Sequence, residues 1–138
     1  MAGVRVTTTT DDLEDDLRYI ARTARGDMRE TVRDGIRAGN ELAKDSAKRH
    51  NGPKSHSKQY PGKFSAEMHA GLGLFGNTIS GEYGPRHEGQ GELAGILENG
   101  SRRGNAPQQN LAKSADMIGL IFPQEVRRLP DKWFWPER

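Results

Sequence analysis

An unbroken apolar stripe at helical spacing runs through residues 11–48 of this sequence. Its members are Leu13, Leu17, Ile20, Ala24, Met28, Val32, Ile36, Gly39, Leu42, Ala43 and Ala47. Steps of mostly three and four residues place them on one face of an amphipathic α-helix. At 1.5 Å per residue such a helix would span roughly 57 Å, well beyond the ~26 Å diameter of a compact chain of this size. The sequence therefore predicts one very long helix that protrudes, bends or breaks.

The supply of core residues is small for a chain with so long a helix. Leu, Ile, Val and Phe make up 24 of the 138 residues, which is about 17%, and disorder becomes a concern below roughly 20%. The net charge of only +2 argues against disorder, because disordered chains combine low hydrophobicity with high net charge. We therefore expect a folded domain whose burial is completed by a neighbouring molecule.

Several classes of protein are excluded by what the sequence lacks. It has no cysteine, which rules out a disulfide framework, a thiolate zinc site and a cysteine nucleophile. It has no run of 18 apolar residues and no apolar segment near its first residue, so we expect neither a membrane-spanning helix nor a signal peptide. We expect a protein that works in an aqueous compartment.

The pattern along the chain predicts a single α+β domain. The long helix (residues 11–48) leads into a basic loop (50–63) that is rich in turn-forming residues and has no acidic residue. Glycine-punctuated strands of a small antiparallel sheet follow within 64–100, together with one apolar segment whose type stays open. Apolar positions at helical spacing predict a C-terminal helix over 107–129, and an aromatic tail (130–138) ends the sequence.

The aromatic tail concentrates Trp133, Phe134 and Trp135 in three consecutive residues. Such side chains are frequent anchors in cores and at interfaces, and a terminal segment is ordered only when something ties it down. Docking on the same domain and docking on a partner both stay open. We place the tail at a subunit interface, together with Ile36 of the helical stripe.

Charge is sorted into blocks: residues 51–63 carry +3, residues 64–100 carry −4 and residues 101–138 carry +3. Such blocks suit electrostatic complementarity between copies or with neighbours, although chance placement on solvated faces explains them equally well. Three lysines of the basic loop could contact phosphate, but they would supply only nonspecific, salt-dependent binding. These candidate phosphate contacts are Lys54, Lys58 and Lys63.

Patterns that would indicate catalysis or metal binding are weak. The histidines are His50, His56, His69 and His87. None of them forms the helical His–Glu pattern of zinc proteases, so neither a metal nor another cofactor is expected. Residues 71–76 (GLGLFG) match G-x-G-x-x-G, but no buried parallel strand precedes them, and glycine bends in a sheet explain them better than a dinucleotide site. The sequence predicts a protein without enzymatic activity.

Residues 96–107 (ILENGSRRGNAP) and the helix after them form the most distinctive motif of the chain. The motif resembles the neck and tail-completion family of long-tailed bacteriophages, typified by gene product ten of a lambda-like phage. In that family an apolar pair, Glu, an apolar or, more usually, aromatic residue, Gly and Thr or Ser precede a short basic or polar loop. A small residue, Pro, a second apolar pair and a helix that begins with small residues follow. The matching residues are Leu97, Glu98, Gly100, Ser101, Ala106, Pro107 and Ala112. Asn99 stands in the aromatic position, and Gln108 and Gln109 replace the usual apolar pair.

The resemblance implies a virion structural protein, a subunit of the ring that joins the portal-side connector to the tail and lets DNA pass through its lumen. Its partners would be copies of itself, with a hexamer favoured and a dodecamer second. A head-closure or adaptor protein would lie on the head side, and a tail terminator or tail tube protein on the tail side. DNA contact would be nonspecific at most and no membrane would be involved. The protein would assemble in the host cytoplasm and reside in the virion neck.

The motif residues suit scaffold and interface roles. The corner at Gly100 and Ser101 would allow a φ that most residues avoid, and Pro107 would set the start of the C-terminal helix. Glu98 would bind a basic group of the same or an adjacent subunit. The candidate basic groups are Arg102 and Arg103. We expect all of these residues at a subunit or partner interface.

Two other functions stay open. The first is a DNA-associated protein that uses the 50–63 loop, and the second, more remote, is a small hydrolase built on His87 and Glu88. A solvated loop explains that His–Glu pair better than acid–base chemistry does. Steep salt-dependent binding of DNA would favour the first function, and loss of turnover in a His87→Ala variant would favour the second.

Overall fold

The computed structural model describes Gly3, residues 10–70 and residues 78–135 of the chain. This part is rich in helix and contains one small sheet, which confirms the α+β class. None of its helices combines the length and the apolar character needed to cross a lipid bilayer. The expected glycine bends at residues 71–76 lie outside the described residues.

Helix α1 (Thr10–His50) has 41 residues and confirms the single long helix. Acidic residues in its first turn and basic residues in its last turn suit the two ends of the helix dipole. Residues 10–19, which we call the arm, are all exposed, and the six buried residues of α1 lie between Val32 and Ala47. The long helix therefore continues beyond the buried part of the domain instead of breaking.

Two strands, β1 (Phe64–Ala70) and β2 (Ile79–Pro85), form an antiparallel sheet that packs on α1. The register pairs Phe64 with Pro85 at one end and Ala70 with Ile79 at the other. A short 3-10 turn, Tyr60–Lys63, carries the chain from the basic loop into β1.

The strands expected within 64–100 stop at residue 85. The N–H of Arg86 still donates to the carbonyl oxygen of Lys63 at 2.9 Å, and the chain then enters a 3-10 turn, Gly89–Leu93, whose first residue has φ +52°. The apolar segment of open type is a short helix, α2 (Ala94–Asn99). A short apolar run fits a strand or a helix equally well, so packing decides its conformation.

Helix α3 (Asn110–Phe134) begins three residues after the expected start and extends past the expected end at residue 129. Pro123 and Pro130 lie inside it with exposed side chains. Each proline removes one backbone donor, yet neither ends the helix. The residues expected as an aromatic tail are therefore helical as far as Phe134.

The two long helices, α1 and α3, pack antiparallel. The sheet also packs on α1. Residues near the C-terminal end of α1 contact the start of α3, and residues nearer the N-terminal end of α1 contact the end of α3. The contact pairs are Ser46 with Asn110, Gly35 with Phe122 and Asp27 with Trp133.

The hydrophobic core is small and lies against the C-terminal half of α1. Its buried members are Ala43, Ala47, Tyr60 and Phe64, and Tyr83, Ala94, Leu97 and Leu111 pack around them. The rings of Tyr60 and Phe64 pack edge to face, with 5.2 Å between their centroids. Gly39 lets another ring approach, because a Cβ there would lie 2.5 Å from Tyr83. This limited burial agrees with the small number of large apolar residues.

Candidate interaction surfaces

Glu98 makes the central contact of the motif that resembles phage neck proteins. Its carboxylate accepts hydrogen bonds from the backbone N–H of Leu111, at 2.9 and 3.1 Å, and of Ala112, at 2.9 Å. The first N–H groups of a helix lack intrahelical partners, and Gln109 at the N-cap of α3 supplies no side-chain cap. Glu98 therefore caps α3 from thirteen residues upstream.

Within the chain, Glu98 does not make the expected pair with Arg102 or Arg103, and a pair with a basic group of an adjacent subunit stays a prediction. Arg102 and Arg103 are exposed, and within residues 10–70 and 78–135 neither arginine makes an ion pair or a side-chain hydrogen bond. The backbone donors of α3 satisfy the carboxylate in their place because they lie directly beside it. The two arginines are left as solvent-facing positive charges on the turn after α2.

The corner at Gly100 has the positive φ that the sequence predicts, +76°. A Cβ there would lie 2.6 Å from the carbonyl oxygen of Asn105, and the N–H of Ser101 donates to that same oxygen at 3.0 Å. Pro107 does not start α3, which begins at Asn110. The N–H of Gln108 instead bonds the carbonyl oxygen of Leu97 at 2.9 Å, which ties the segment back to α2.

The three aromatic residues at the end of α3 have different surroundings. Trp133 is half-buried, and its indole N–H donates to the Asp27 carboxylate at 2.7 Å. Phe134 and Trp135 are 55% and 75% exposed. Of the two docking modes left open, Trp133 takes the intrachain one. Of these three rings, those of Phe134 and Trp135 are the ones left exposed to solvent.

Ile36 also makes an intrachain contact. It is half-buried, and its Cδ1 lies 2.8 Å from where a Cβ on Gly81 of β2 would be. The sheet of the same chain therefore covers part of Ile36, and its place at a subunit interface stays a prediction.

Exposed apolar side chains form two stripes on the long helices. On the arm, Leu13 and Leu17 lie one helical turn apart and are 53% and 51% exposed. On α3, Met117, Leu120 and Ile121 are 49%, 72% and 50% exposed. Their spacing places these three side chains on one face. Contiguous apolar surface of this kind marks interaction sites.

The lysines of the basic loop separate in the structure. Lys63 lies 3.9 Å from Glu88, and Lys54 faces solvent elsewhere. Lys58 lines a surface groove of about 820 Å³ with Lys44 and Lys48 of α1. Sequence reasoning missed these two lysines, although their i,i+4 spacing directly before the loop is a usable signal. We call Lys44, Lys48 and Lys58 the basic groove.

The His87–Glu88 pair does not form. Both residues are exposed, and Glu88 pairs with Arg86 at 3.3 Å and with Lys63. His87 lines a groove of about 480 Å³ along the sheet, without a hydrogen bond to Glu88. Within the described residues, one set of three side chains could share a metal ion: Glu67, His69 and Glu82. Cross-strand pairing brings this set together, which no local pattern reveals.

Comparison of the chain with protein-family models, with curated proteins and with solved structures finds no match. The resemblance to phage neck proteins therefore depends on the motif around Glu98 and on the order of the elements. The chemistry available for a function lies in the arm, the apolar stripe of α3, the two exposed rings at its end and the basic groove.

Proposed function

We propose that this chain is a structural subunit of a bacteriophage head-to-tail connector ring, and that copies of it assemble through the arm of one copy and α3 of the next. One observation carries the proposal: the exposed leucines of the arm and the exposed apolar stripe of α3 lie on different parts of one molecule. A contact between two different patches is heterologous, and heterologous contacts close into rings when the rotation permits.

Charge supports this pairing of surfaces. The arm carries five acidic residues and, before Arg18, no basic one. On α3, Lys113 and Arg127 lie at helical spacing from Met117 and Leu120 and share their face. An acidic helix with two leucines thus meets an apolar stripe with a basic residue at either end. Complementary charge of this kind fixes register and partner more than it adds affinity.

The motif around Glu98 supports the connector assignment in particular. The ring would lie between a head-closure or adaptor protein and a tail terminator or tail tube protein, with six copies favoured over twelve. The exposed Phe134 and Trp135 are suited to contact one of these neighbouring layers, because exposed aromatic anchors are enriched at interfaces. The subunit acts by packing and needs no catalytic group.

Mass photometry and negative-stain microscopy of the purified chain test the assembly. We expect a closed ring whose population rises with concentration and is lost in the double variant Leu13→Ser, Leu17→Ser. The matched control is Leu93→Ser, which alters an exposed leucine of the 3-10 turn and should leave the ring intact. A monomer at all concentrations, or unchanged assembly of the double variant, would contradict the proposal. Mixing with the products of neighbouring genes then tests the connector role.

A second function, nonspecific binding of nucleic acid, is favoured by the basic groove. Three lysines around one groove with no acidic lining residue suit phosphate. Three phosphate contacts on duplex DNA predict a slope of about −2.7 for log Kobs against log salt. Replacing Lys44, Lys48 and Lys58 with Ala should abolish that slope, whereas Lys54→Ala, outside the groove, should leave it. No salt-dependent binding would exclude this function.

A further inference from the structure

We propose that Glu67, His69 and Glu82 form a binding site for a divalent transition-metal ion, with Zn²⁺ as the preferred ion. In the register of the sheet, Glu67 lies directly opposite Glu82. His69 is two residues from Glu67 on the same strand, so its side chain projects from the same face. The Nε2 of His69 lies 3.3 Å from a carboxylate oxygen of Glu82, and one ligand atom from each residue lies within 4.8 Å of the other two.

These distances suit a metal ion. Two ligands bound at about 2.1 Å to a tetrahedral Zn²⁺ lie roughly 3.4 Å apart, which matches the His69–Glu82 separation. Glu67 supplies the third ligand atom, which lies within 4.8 Å of the other two. Paired backbone strands hold all three Cα positions, so the three side chains start close together.

Electrostatics gives the ion a role. Two carboxylates directly opposite on neighbouring strands repel each other and destabilise the pairing. In the part of the chain that the structure describes, Glu82 pairs with His69 and Glu67 has no ion pair or hydrogen bond. A divalent cation would replace that repulsion with attraction to both carboxylates. Arg25 and Arg29 line a cleft beside His69 and would oppose binding, so we expect moderate affinity.

The ligand types select the class of ion. Imidazole suits Zn²⁺, Cu²⁺ and Ni²⁺, whereas Mg²⁺ and Ca²⁺ prefer all-oxygen sites with more ligands. Three protein ligands leave at least one coordination position of a four-coordinate ion open. Water can reach that position, because the side chains of His69 and Glu82 are 51% and 73% exposed. The site is open and could accept a fourth ligand from solvent or from a bound molecule.

Titration of the full chain with ZnCl₂ by calorimetry tests the site. We expect one Zn²⁺ per chain, no competition from millimolar Mg²⁺, and at least tenfold weaker binding in Glu67→Gln, His69→Ala and Glu82→Gln. The matched control is His87→Ala, which removes an exposed histidine beside the same sheet and should leave binding unchanged. Circular dichroism checks that each variant is folded, which is expected because all three side chains are exposed.

Co²⁺ provides an independent spectroscopic readout, since its visible absorption reports coordination by protein ligands. We expect the band to appear on Co²⁺ addition and to be absent in His69→Ala. The proposal is overturned by the absence of Zn²⁺ binding to the wild-type chain, by unchanged binding in folded His69→Ala, or by an equal loss in His87→Ala. Because the arm and the α3 stripe take no part, these outcomes are independent of ring assembly.

Discussion

The indole N–H of Trp133 donates a 2.7 Å hydrogen bond to the carboxylate of Asp27, 106 positions away in the chain. Lys132 adds an ion pair with the same carboxylate at 3.1 Å. The Asp27 side chain is only 17% exposed and that of Lys132 is 63% exposed, so the indole contact is the better shielded of the two and solvent screens the ion pair. They hold the C-terminal end of α3 on α1, close to where the arm begins.

Trp133→Ala should lower the stability of the chain, whereas Trp135→Ala should weaken its assembly. Trp133→Ala removes a half-buried ring and leaves Asp27 with Lys132 as its remaining donor, so we expect the free energy of unfolding to fall by about 2 kcal/mol. Trp135 is 75% exposed, so its replacement should change stability by less than about 0.5 kcal/mol and should weaken assembly instead. Urea denaturation and mass photometry of both variants separate the effects. Equal losses of stability would contradict the distinction.

Acid unfolding should depend on Asp27. The hydrogen bond from Trp133, followed by that from Lys132, lowers the pKa of Asp27 below its usual 3.8. A lowered pKa in the folded state gives stability that is present above pH 3.8 and is lost as the pH falls through the folded-state value. Asp27→Asn should therefore reduce stability at pH 6 and flatten the dependence below pH 4. Urea melts at a series of pH values measure both, and an unchanged acid limb would refute the linkage.

Removal of the Glu98 carboxylate should loosen the start of α3. Glu98→Ala leaves the N–H groups of Leu111 and Ala112 without an acceptor, which we expect to cost about 1–3 kcal/mol. Glu98→Gln keeps one oxygen acceptor and should cost less. Hydrogen exchange at these two amides should accelerate in the order Ala over Gln over wild type. Glu92→Ala, at an exposed position of the 3-10 turn, is the control and should leave their exchange unchanged.

Two glycines of α1 should respond oppositely to alanine. A Cβ at Gly39 would lie 2.5 Å from the ring of Tyr83, whereas nothing lies within 4 Å of a Cβ at Gly26. Gly39→Ala should destabilise by about 1–3 kcal/mol because the ring must move. Gly26→Ala should stabilise by up to about 1 kcal/mol through helix propensity. Thermal melts measure both changes, and a stabilised Gly39→Ala variant would show that the ring has room.

Alkaline unfolding should depend on Tyr60. Burial, followed by the charge of Glu98, raises the pKa of Tyr60 to about 12, and in the described residues its hydroxyl has no hydrogen-bond partner. Below pH 10 the tyrosine is neutral in both states. Between pH 10 and 12 only the unfolded state ionises, so stability falls by up to about 1.4 kcal/mol per pH unit.

The control for this alkaline effect is Tyr60→Phe. The variant keeps the edge contact with Phe64 and removes the ionisable group, so its stability should fall less steeply over the same range. Subtracting the two pH profiles cancels the contributions of Lys and the other Tyr residues. Parallel profiles for wild type and variant would contradict an ionisation-linked role for Tyr60.

Prediction of secondary structure from the sequence was wrong or left open in short segments whose residues fit more than one conformation. The apolar residues after Leu93 fit a strand as well as a helix, and they form the short helix α2, from which Ala94 and Leu97 pack on the core. Pro130 suggested the end of a helix, but α3 stays helical as far as Phe134, and Trp133 of this last part contacts Asp27 of α1. In both places a local signal was outweighed by packing, which adds contacts that a single window of sequence does not contain.

Local periodicity was sufficient to predict the two long helices. The stripe from Leu13 to Ala47 determined the long helix, and the scarcity of large apolar residues predicted a small core. Only the tertiary structure decided which groups meet: Glu98 with the start of α3, Lys58 with Lys44 and Lys48, and Glu67 with His69 and Glu82. The physical reason is that spacing along a chain determines which face a side chain occupies, whereas its partner across the fold depends on helix packing and strand register.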